Sequence, residues 1–203
     1  QSAAPAAIFR HYRRLLADGR FLKYLVVASA AFSGLFAFVS GSSFVLQGLY
    51  GFTPVIYGLS FGAMAGGYVA GSLTGGKLVR RFGIDGTLRF GGLCACLGGL
   101  LMLGGLVSTS SAAAIILPIV IYGFAVGVTM PQAMAGALTP FPDIAGTASA
   151  LLGFLQAAAG AIAGLYVGQG AGTSAMPMVG TIAAMGVLAF AVTNIRRGTA
   201  ARR

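Results

Sequence analysis

The chain has 203 residues, of which 57% are hydrophobic and 8% are charged, and its mean hydropathy is +0.90. A soluble domain carries about 25% charged residues, so this composition excludes a soluble protein and predicts an integral membrane protein. The formal net charge of +10 does not indicate a nucleic-acid partner, because basic loops are the ordinary flanks of membrane spans.

The charged residues fall into four short segments, which are 10–23, 77–89, Asp143 alone, and 196–203. Between successive segments lie two apolar stretches separated by an uncharged turn. A bilayer core of about 30 Å needs about 20 apolar helical residues, so each interval predicts two spans, and the chain predicts six. Basic loops stay in the cytoplasm. This rule places every charged segment and both termini on the cytoplasmic side of a bacterial-type inner membrane.

In chain order, residues 1–23 are predicted to form a cytoplasmic lead-in that contains a short interfacial helix. Because the chain begins with Gln1 and not Met, we expect it to be a fragment of a longer protein. A six-helix transmembrane half-bundle is expected over 24–195, followed by a basic cytoplasmic tail over 196–203. The six spans are expected at 24–46, 54–76, 88–107, 112–137, 145–168 and 175–195.

Span four is expected to be broken at Pro118 and Pro131, because a proline inside a helix removes one backbone hydrogen bond. The turn after span four contains Asp143, which is expected to cap the next helix. Spans one to three and spans four to six form two triplets of opposite orientation, which is the topology of an inverted three-plus-three repeat.

Glycine accounts for 33 residues, and several glycines recur every fourth residue inside the spans. This spacing lets helices approach each other closely in lipid, so it predicts a tightly packed bundle. The recurring sets are Gly67, Gly71 and Gly75, then Gly123 and Gly127, then Gly160, Gly164 and Gly168.

The sequence offers no enzymatic or metal chemistry. Residues 58–62 match the nucleophile-elbow string, but that motif needs a strand-to-helix turn and a histidine partner. Here it lies in an apolar helix, and the one histidine, His11, is in the lead-in. Cys94 and Cys96 are predicted to be buried apolar side chains. We therefore expect no enzyme, no metal and no cofactor.

Residues 76–83, with the sequence GKLVRRFG, resemble the loop signature of the major facilitator superfamily: Gly, Leu, an acidic residue, Arg, Gly, then basic residues. The signature positions here are Gly76, Arg80, Arg81 and Gly83. Arg80 stands where the family has its acidic residue, which argues against a charge-relay role for this loop. An ordinary basic loop is the alternative interpretation.

Residues 131–151, with the sequence PQAMAGALTPFPDIAGTASAL, resemble the segment that joins the tenth and eleventh helices in the Bcr/CflA drug-resistance group of that superfamily. Residues 38–57 resemble the group's seventh helix and the turn after it. The resemblance implies helices seven to twelve, the C-terminal half, of a twelve-helix drug:proton antiporter. It also implies that the seventh, eighth, tenth and eleventh helices line a central cavity, with the other half as the opposite wall.

Apart from Arg89 at the start of span three, the predicted spans contain no Asp, Glu, Lys or Arg, so a proton-coupling carboxylate is expected in the other half. On span one, five residues recur at three- and four-residue spacing and share one face. That face either lines a cavity or packs on another helix. Spans four and five offer polar, aromatic and methionine side chains that suit varied apolar guests. The cavity candidates are Ser29, Phe32, Ser33, Phe36, Ser40, Tyr122, Met130, Gln132, Phe154 and Gln156.

The leading functional hypothesis is efflux of drugs or other small organic solutes by proton-coupled antiport and alternating access. The alternatives are a metabolite uptake transporter of the same superfamily and a non-transporting six-helix scaffold in the membrane. Gly123, Gly127 and Pro131 are predicted to make span four a bending element.

Overall fold

The computed structural model describes residues 5–108, 111–170 and 174–195, with side chains from residue 9 onward, and every regular element in these ranges is helical. This confirms the predicted all-α membrane fold. In chain order the elements are α1 (Pro5–Ala17), α2 (Gly19–Ser42), a π-helical continuation of α2 (Ser43–Leu49), α3 (Pro54–Ser108), α4 (Ala113–Leu138), a 3-10 turn (Pro142–Ile144), α5 (Ala145–Gly170) and α6 (Met176–Asn194).

Within the described ranges, five helices are long and apolar enough to cross a membrane, and one of them, α3, is long enough to cross it twice. α3 has 55 residues, which would extend about 80 Å as a straight helix. Gly83 interrupts it with φ 68° and ψ 179°, a conformation that glycine reaches at low cost because it lacks Cβ. We call the part before Gly83 the first limb of α3 and the part after it the second limb.

The first limb runs parallel to α4. A Cβ atom built at Gly67 would lie 2.6 Å from the carbonyl oxygen of Val120, and one built at Gly71 would overlap the backbone of Phe124. Positions on the two helices therefore advance together, and the glycines allow the two backbones to touch.

The second limb runs antiparallel to α4. Gly91 lies against Thr129, whereas Gly98, two helical turns later, lies against the backbone nitrogen of Tyr122. The limbs thus form a hairpin folded at Gly83, and counting them separately gives the six membrane-spanning segments that the sequence predicts.

α2 and α6 complete the bundle. α2 packs on α4, α5 and α6, and α6 packs on the second limb of α3. At that last contact, a Cβ atom at Gly99 would lie 2.7 Å from Cα of Ala183, and Gly186 lies against the backbone of Ala95. Lipid supplies no hydrophobic drive between helices, so such close backbone contacts are what stabilise the bundle.

α1 is docked at the start of α2. Asp18 joins the two helices in an extended conformation and accepts hydrogen bonds from the backbone nitrogens of Arg20 and Phe21, which caps α2. The side chain of Leu15 is fully buried in a cluster with Phe21 and residues of α5. α1 therefore lies at a fixed position beside the ends of the spans.

In the described part of the chain, two ion pairs connect the charged segments. Arg14 Nη1 lies 2.7 Å from Asp143 Oδ2, and Lys23 Nζ lies 2.8 Å from Asp85 Oδ1. Asp143, expected from the sequence as a helix cap, thus holds α1 against the start of α5. Exposed pairs of this kind contribute little to stability, so they position the helix ends more than they stabilise the fold.

The expected break in span four is wrong, because α4 is one continuous helix from Ala113 to Leu138 that includes Pro118 and Pro131. Neighbouring helices and local adjustment compensate the lost backbone bond, which is why membrane helices tolerate proline. The domain boundaries at 23/24 and 195/196 stay predictions: α2 begins at Gly19, and the tail over 196–203 lies outside the described residues.

Candidate functional site

Much of the predicted serine and phenylalanine face of α2 packs on α5. A Cβ atom at Gly160 would lie 2.7 Å from Cε1 of Phe32, and one at Gly164 would lie 2.7 Å from Oγ of Ser40. The rings of Phe32 and Phe36 stack with their centroids 5.6 Å apart. The sequence left open whether this face lines a cavity or packs on a helix, and in this structure Phe32, Phe36 and Ser40 pack on a helix.

Ser33 lies elsewhere, in a cavity of about 510 Å³ between α2, α5 and α6. Its side chain is buried, and the cavity walls include Ala163, Tyr166, Pro177 and Thr181. Ser29 lies one turn before Ser33 and is half-buried. The two serines therefore face a different side of α2 from its contact with α4.

Tyr122 of α4 is fully buried against α2. Its ring occupies the space that a Cβ atom on Gly34 would take, and its hydroxyl donates to the carbonyl oxygen of Ala30 at 3.5 Å. In this structure Tyr122 therefore holds α4 to α2 and does not reach an open surface.

The remaining candidates differ in exposure. Met130 and Gln156 are half-buried, Gln132 is 8% exposed, and Phe154 is 69% exposed. Met130 rests on the central apolar core, whereas Phe154 projects from α5. The structure does not bring these four side chains into one cluster with the α2 serines.

Sequence analysis missed other partly exposed residues that pack, like Met130, on the central core, and two of them are of interest. They are Leu35 of α2 and Phe61 of the first limb of α3, and the ring of Phe61 is 5.9 Å from that of Phe38. With Met130 they give three helices partly exposed apolar side chains on this core. Nothing in the sequence separates such residues from lipid-facing ones, because both are apolar.

Several helical hydroxyls in the described ranges are satisfied locally. The hydroxyls of Ser60, Thr74 and Thr87 each donate to the carbonyl oxygen four residues earlier. Such bonds are the usual way in which a serine or threonine is accommodated inside a membrane helix.

Five of the predicted cavity residues lack such a bond, as do the helical hydroxyls of Ser72, Thr129, Thr147 and Ser149. The side chains of the five form no hydrogen bond with any described residue, and the Oε1 atom of Gln156 is buried without a partner. A buried polar group without a partner costs about 1–3 kcal/mol, and lipid offers no water to replace it. The five residues are Ser29, Ser33, Ser40, Gln132 and Gln156.

The loop-signature residues lie in the last turns of the first limb of α3 and at the turn after it. Gly76, Arg80 and Arg81 are exposed, and the Arg81 guanidinium lies 5.4 Å from the centre of the Phe82 ring. Gly83 provides the positive-φ position that reverses the chain. The acidic residue of this segment, Asp85, binds Lys23 and Tyr24 of α2, so the loop is tied to another helix and not to its own arginines.

The predicted bending residues are placed in two environments. Gly123 and Gly127 pack on the first limb of α3, where a Cβ atom at Gly123 would lie 2.7 Å from the carbonyl oxygen of Met64. Pro131 lies one turn later at an exposed position. A bend at this level would change the contact between α4 and the first limb.

Residues 1–164 match the Major Facilitator Superfamily. The chain is 33% identical over 186 residues to the bicyclomycin resistance protein homolog of Haemophilus influenzae, which covers 89% of this chain and 46% of that protein. It is 30% identical over 179 residues to an uncharacterized MFS-type transporter of Bacillus subtilis, with 87% and 44% covered. It is 29% identical over 147 residues to multidrug resistance protein D of Escherichia coli, with 71% and 36% covered.

The chain spans less than half the length of the curated relatives it matches, and six spans fit one half of a twelve-helix transporter. Two of these relatives carry drug-resistance names, which confirms the resemblance to the Bcr/CflA group. The relatives are transporters or resistance proteins, which agrees with the expectation that the chain is not an enzyme. By its match over most of its length, the chain belongs to the major facilitator superfamily.

Proposed function

We propose that this chain forms the C-terminal half of an exporter of drug-like or other small organic solutes, working by alternating access and proton antiport. The drug-resistance names of two relatives support the solute class. The partly exposed apolar side chains of Met130, Leu35 and Phe61 on the central core support binding of varied apolar guests.

The observation that carries the proposal is the set of five intramembrane polar side chains without hydrogen bonds among the described residues. A scaffold would have no reason to retain a group such as the buried Gln156 Oε1 atom, because an apolar replacement would remove its desolvation penalty. A solute with polar groups, or polar side chains of the other half, would supply the missing partners. These side chains donate and accept hydrogen bonds but carry no charge, so they suit uncharged solutes that have both polar and apolar parts.

Proton coupling would depend on the other half. The predicted spans hold no residue that titrates as an acid or base in the physiological range, and intramembrane carboxylates are the usual proton carriers of transporters. The role of this half would be to form one wall of the cavity and to move against the other half.

The test is efflux from cells that express the full-length gene, with and without a proton uncoupler. We expect a fluorescent lipophilic dye to be exported and the export to stop when the uncoupler is added. Net uptake of the solute would favour the metabolite importer, and no transport in either direction across a broad solute panel would favour the scaffold.

We further propose an inner-membrane location with both termini in the cytoplasm, supported by the basic segments 10–23 and 77–89. A cysteine introduced at Thr53, in the turn after α2, should react with an impermeant reagent added outside intact cells. A cysteine at Lys77 should react only after permeabilisation. The opposite result would overturn this orientation. Two other outer positions, Ser110 and Gly172, lie outside the described residues.

A further inference from the structure

α1 carries apolar side chains that the bundle leaves uncovered. Leu15 is its fully buried anchor and Tyr12 is half-buried beside it, but Phe9 is 72% exposed and Leu16 is 44% exposed. Phe9 and Leu16 are seven residues apart, which is two helical turns, so they lie on the same side of α1. The helix therefore has one face docked on the bundle and a second apolar face that is open.

Two arginines border this open face. Arg13 lies four residues after Phe9 and three before Leu16, which places it beside both, and Arg10 follows on the same edge. Both are exposed. Among the described residues, Arg14 has Asp143 as its ion-pair partner, whereas neither Arg10 nor Arg13 has an acidic partner. We call Phe9, Arg10, Arg13 and Leu16 the open face of α1.

The position of α1 brings this face to the membrane boundary. A single residue, Asp18, separates α1 from α2, and Leu15 packs with Phe21 in the first turn of that span. The Arg14–Asp143 pair holds the same helix to the turn before α5. The open face therefore lies where two membrane-spanning helices begin, at the depth of the lipid headgroups.

We propose that the open face of α1 binds anionic phospholipid in the leaflet on the side of the charged segments. An amphipathic helix with apolar and basic sectors lies in the plane of the interface, where its apolar side chains enter the boundary between headgroups and acyl chains. Phe9 and Leu16 would occupy that boundary, and Arg10 and Arg13 would bind lipid phosphate. This inference is independent of which solute the transporter moves.

The test uses the full-length protein in phosphatidylcholine vesicles, with a fluorophore on Ala17→Cys in a background without other reactive cysteines. Ala17 is exposed on α1 and lies seven residues after Arg10, on the arginine edge of the open face, so a fluorophore there reports on lipid bound to that face. Brominated phosphatidylglycerol or brominated phosphatidylcholine is added at the same low mole fraction, and quenching is compared. Each arginine near an anionic lipid contributes a factor of about five, so we expect the anionic lipid to quench at least about fivefold more effectively.

Arg10→Gln with Arg13→Gln should reduce this preference to about one, since the charge attraction supplies it. Arg80→Gln with Arg81→Gln removes two exposed arginines from another segment and should leave the preference unchanged. Phe9→Ser with Leu16→Ser should lower quenching by both lipids, because the helix would no longer be seated in the interface.

Equal quenching by the two lipids in the parent protein would overturn the proposal, as would a preference that survives the Arg10 and Arg13 substitutions. Absence of quenching by either lipid would also overturn it, and would mean that protein covers this face in the full-length transporter.

Discussion

Gly34 shows how a single missing Cβ atom sets a contact between two spans. The ring of Tyr122 fills the space beside Gly34, and the Tyr122 hydroxyl reaches Ala30 on the same helix. Gly34→Ala should therefore push α4 away from α2 and destabilise the protein by about 1–3 kcal/mol, as overpacking does. Thermal unfolding of the full-length protein in detergent measures this, and Gly62→Ala, at a helical glycine with open space around it, should leave the melting temperature unchanged.

A second substitution tests whether the loss of stability in Gly34→Ala comes from the contact with Tyr122. Tyr122→Leu in the Gly34→Ala background should recover part of the lost stability, because the new methyl group then has room. If the double variant loses at least as much stability as the two single variants lose together, the proposed steric conflict is wrong.

At Gln156, the role of an unpartnered polar group in transport can be tested apart from its effect on the stability of the fold. Replacing it with Leu removes the buried unpaired Oε1 atom, so stability should be unchanged or should rise by about 1–3 kcal/mol. Export of solutes that donate hydrogen bonds should fall, while export of purely apolar solutes should persist. Dye efflux and thermal unfolding together measure this, and Gln169→Leu, an exposed glutamine on the same helix, is the matched control. Unchanged export of donor-bearing solutes would mean that Gln156 does not contact them.

At the scale of elements, Gly83 determines that α3 is a hairpin and not a rod. Its φ of 68° is a conformation that a residue with Cβ adopts only with strain of about 1–3 kcal/mol. Gly83→Ala should therefore lower the melting temperature of the full-length protein, whereas Gly76→Ala should not, because Gly76 is helical and has open space around it. Equal effects of the two substitutions would contradict the assignment of the turn to Gly83.

α4 is the element whose movement the function would require. Its helix is continuous through Pro131, yet that position lacks a backbone hydrogen bond and is therefore easier to bend. Pro131→Ala should strengthen the helix and slow transport turnover more than it weakens solute binding. Turnover and apparent affinity in reconstituted vesicles separate these effects. Unchanged turnover with altered affinity would indicate a static helix that only shapes the cavity.

At the scale of the whole molecule, the half-transporter proposal makes the six spans one wall of a cavity that a second half would complete. Intramembrane polar groups such as Gln156 have no hydrogen-bond partner among the described residues, and lipid cannot satisfy them. The 203-residue chain expressed alone should therefore insert in the membrane without exporting dye, and co-expression with the other half should restore export. Export by the chain alone at the rate of the full-length protein, without association of two copies, would refute the half-transporter proposal.

The sequence by itself determined the membrane class, the six spans, the family and the segments that stay outside the bilayer. These properties follow from one strong constraint: lipid requires every backbone polar group to be satisfied within a helix. Hydropathy and charge therefore locate the spans without knowledge of any contact between them. Even the division of the 55-residue helix α3 was predictable. The segment 77–89 contains several charged residues, and such a segment is not stable in the bilayer core.

Only the tertiary structure decided which face of each helix meets which neighbour. Tyr122 was predicted to line a cavity and instead packs on Gly34, and Phe32 packs on Gly160. Asp143 pairs with Arg14, 129 positions away in the sequence. In lipid, a buried apolar side chain and a lipid-facing one have the same hydrophobicity, so the sequence pattern cannot distinguish them. The choice depends on the shapes of the helices that meet, which exist only after the chain has folded.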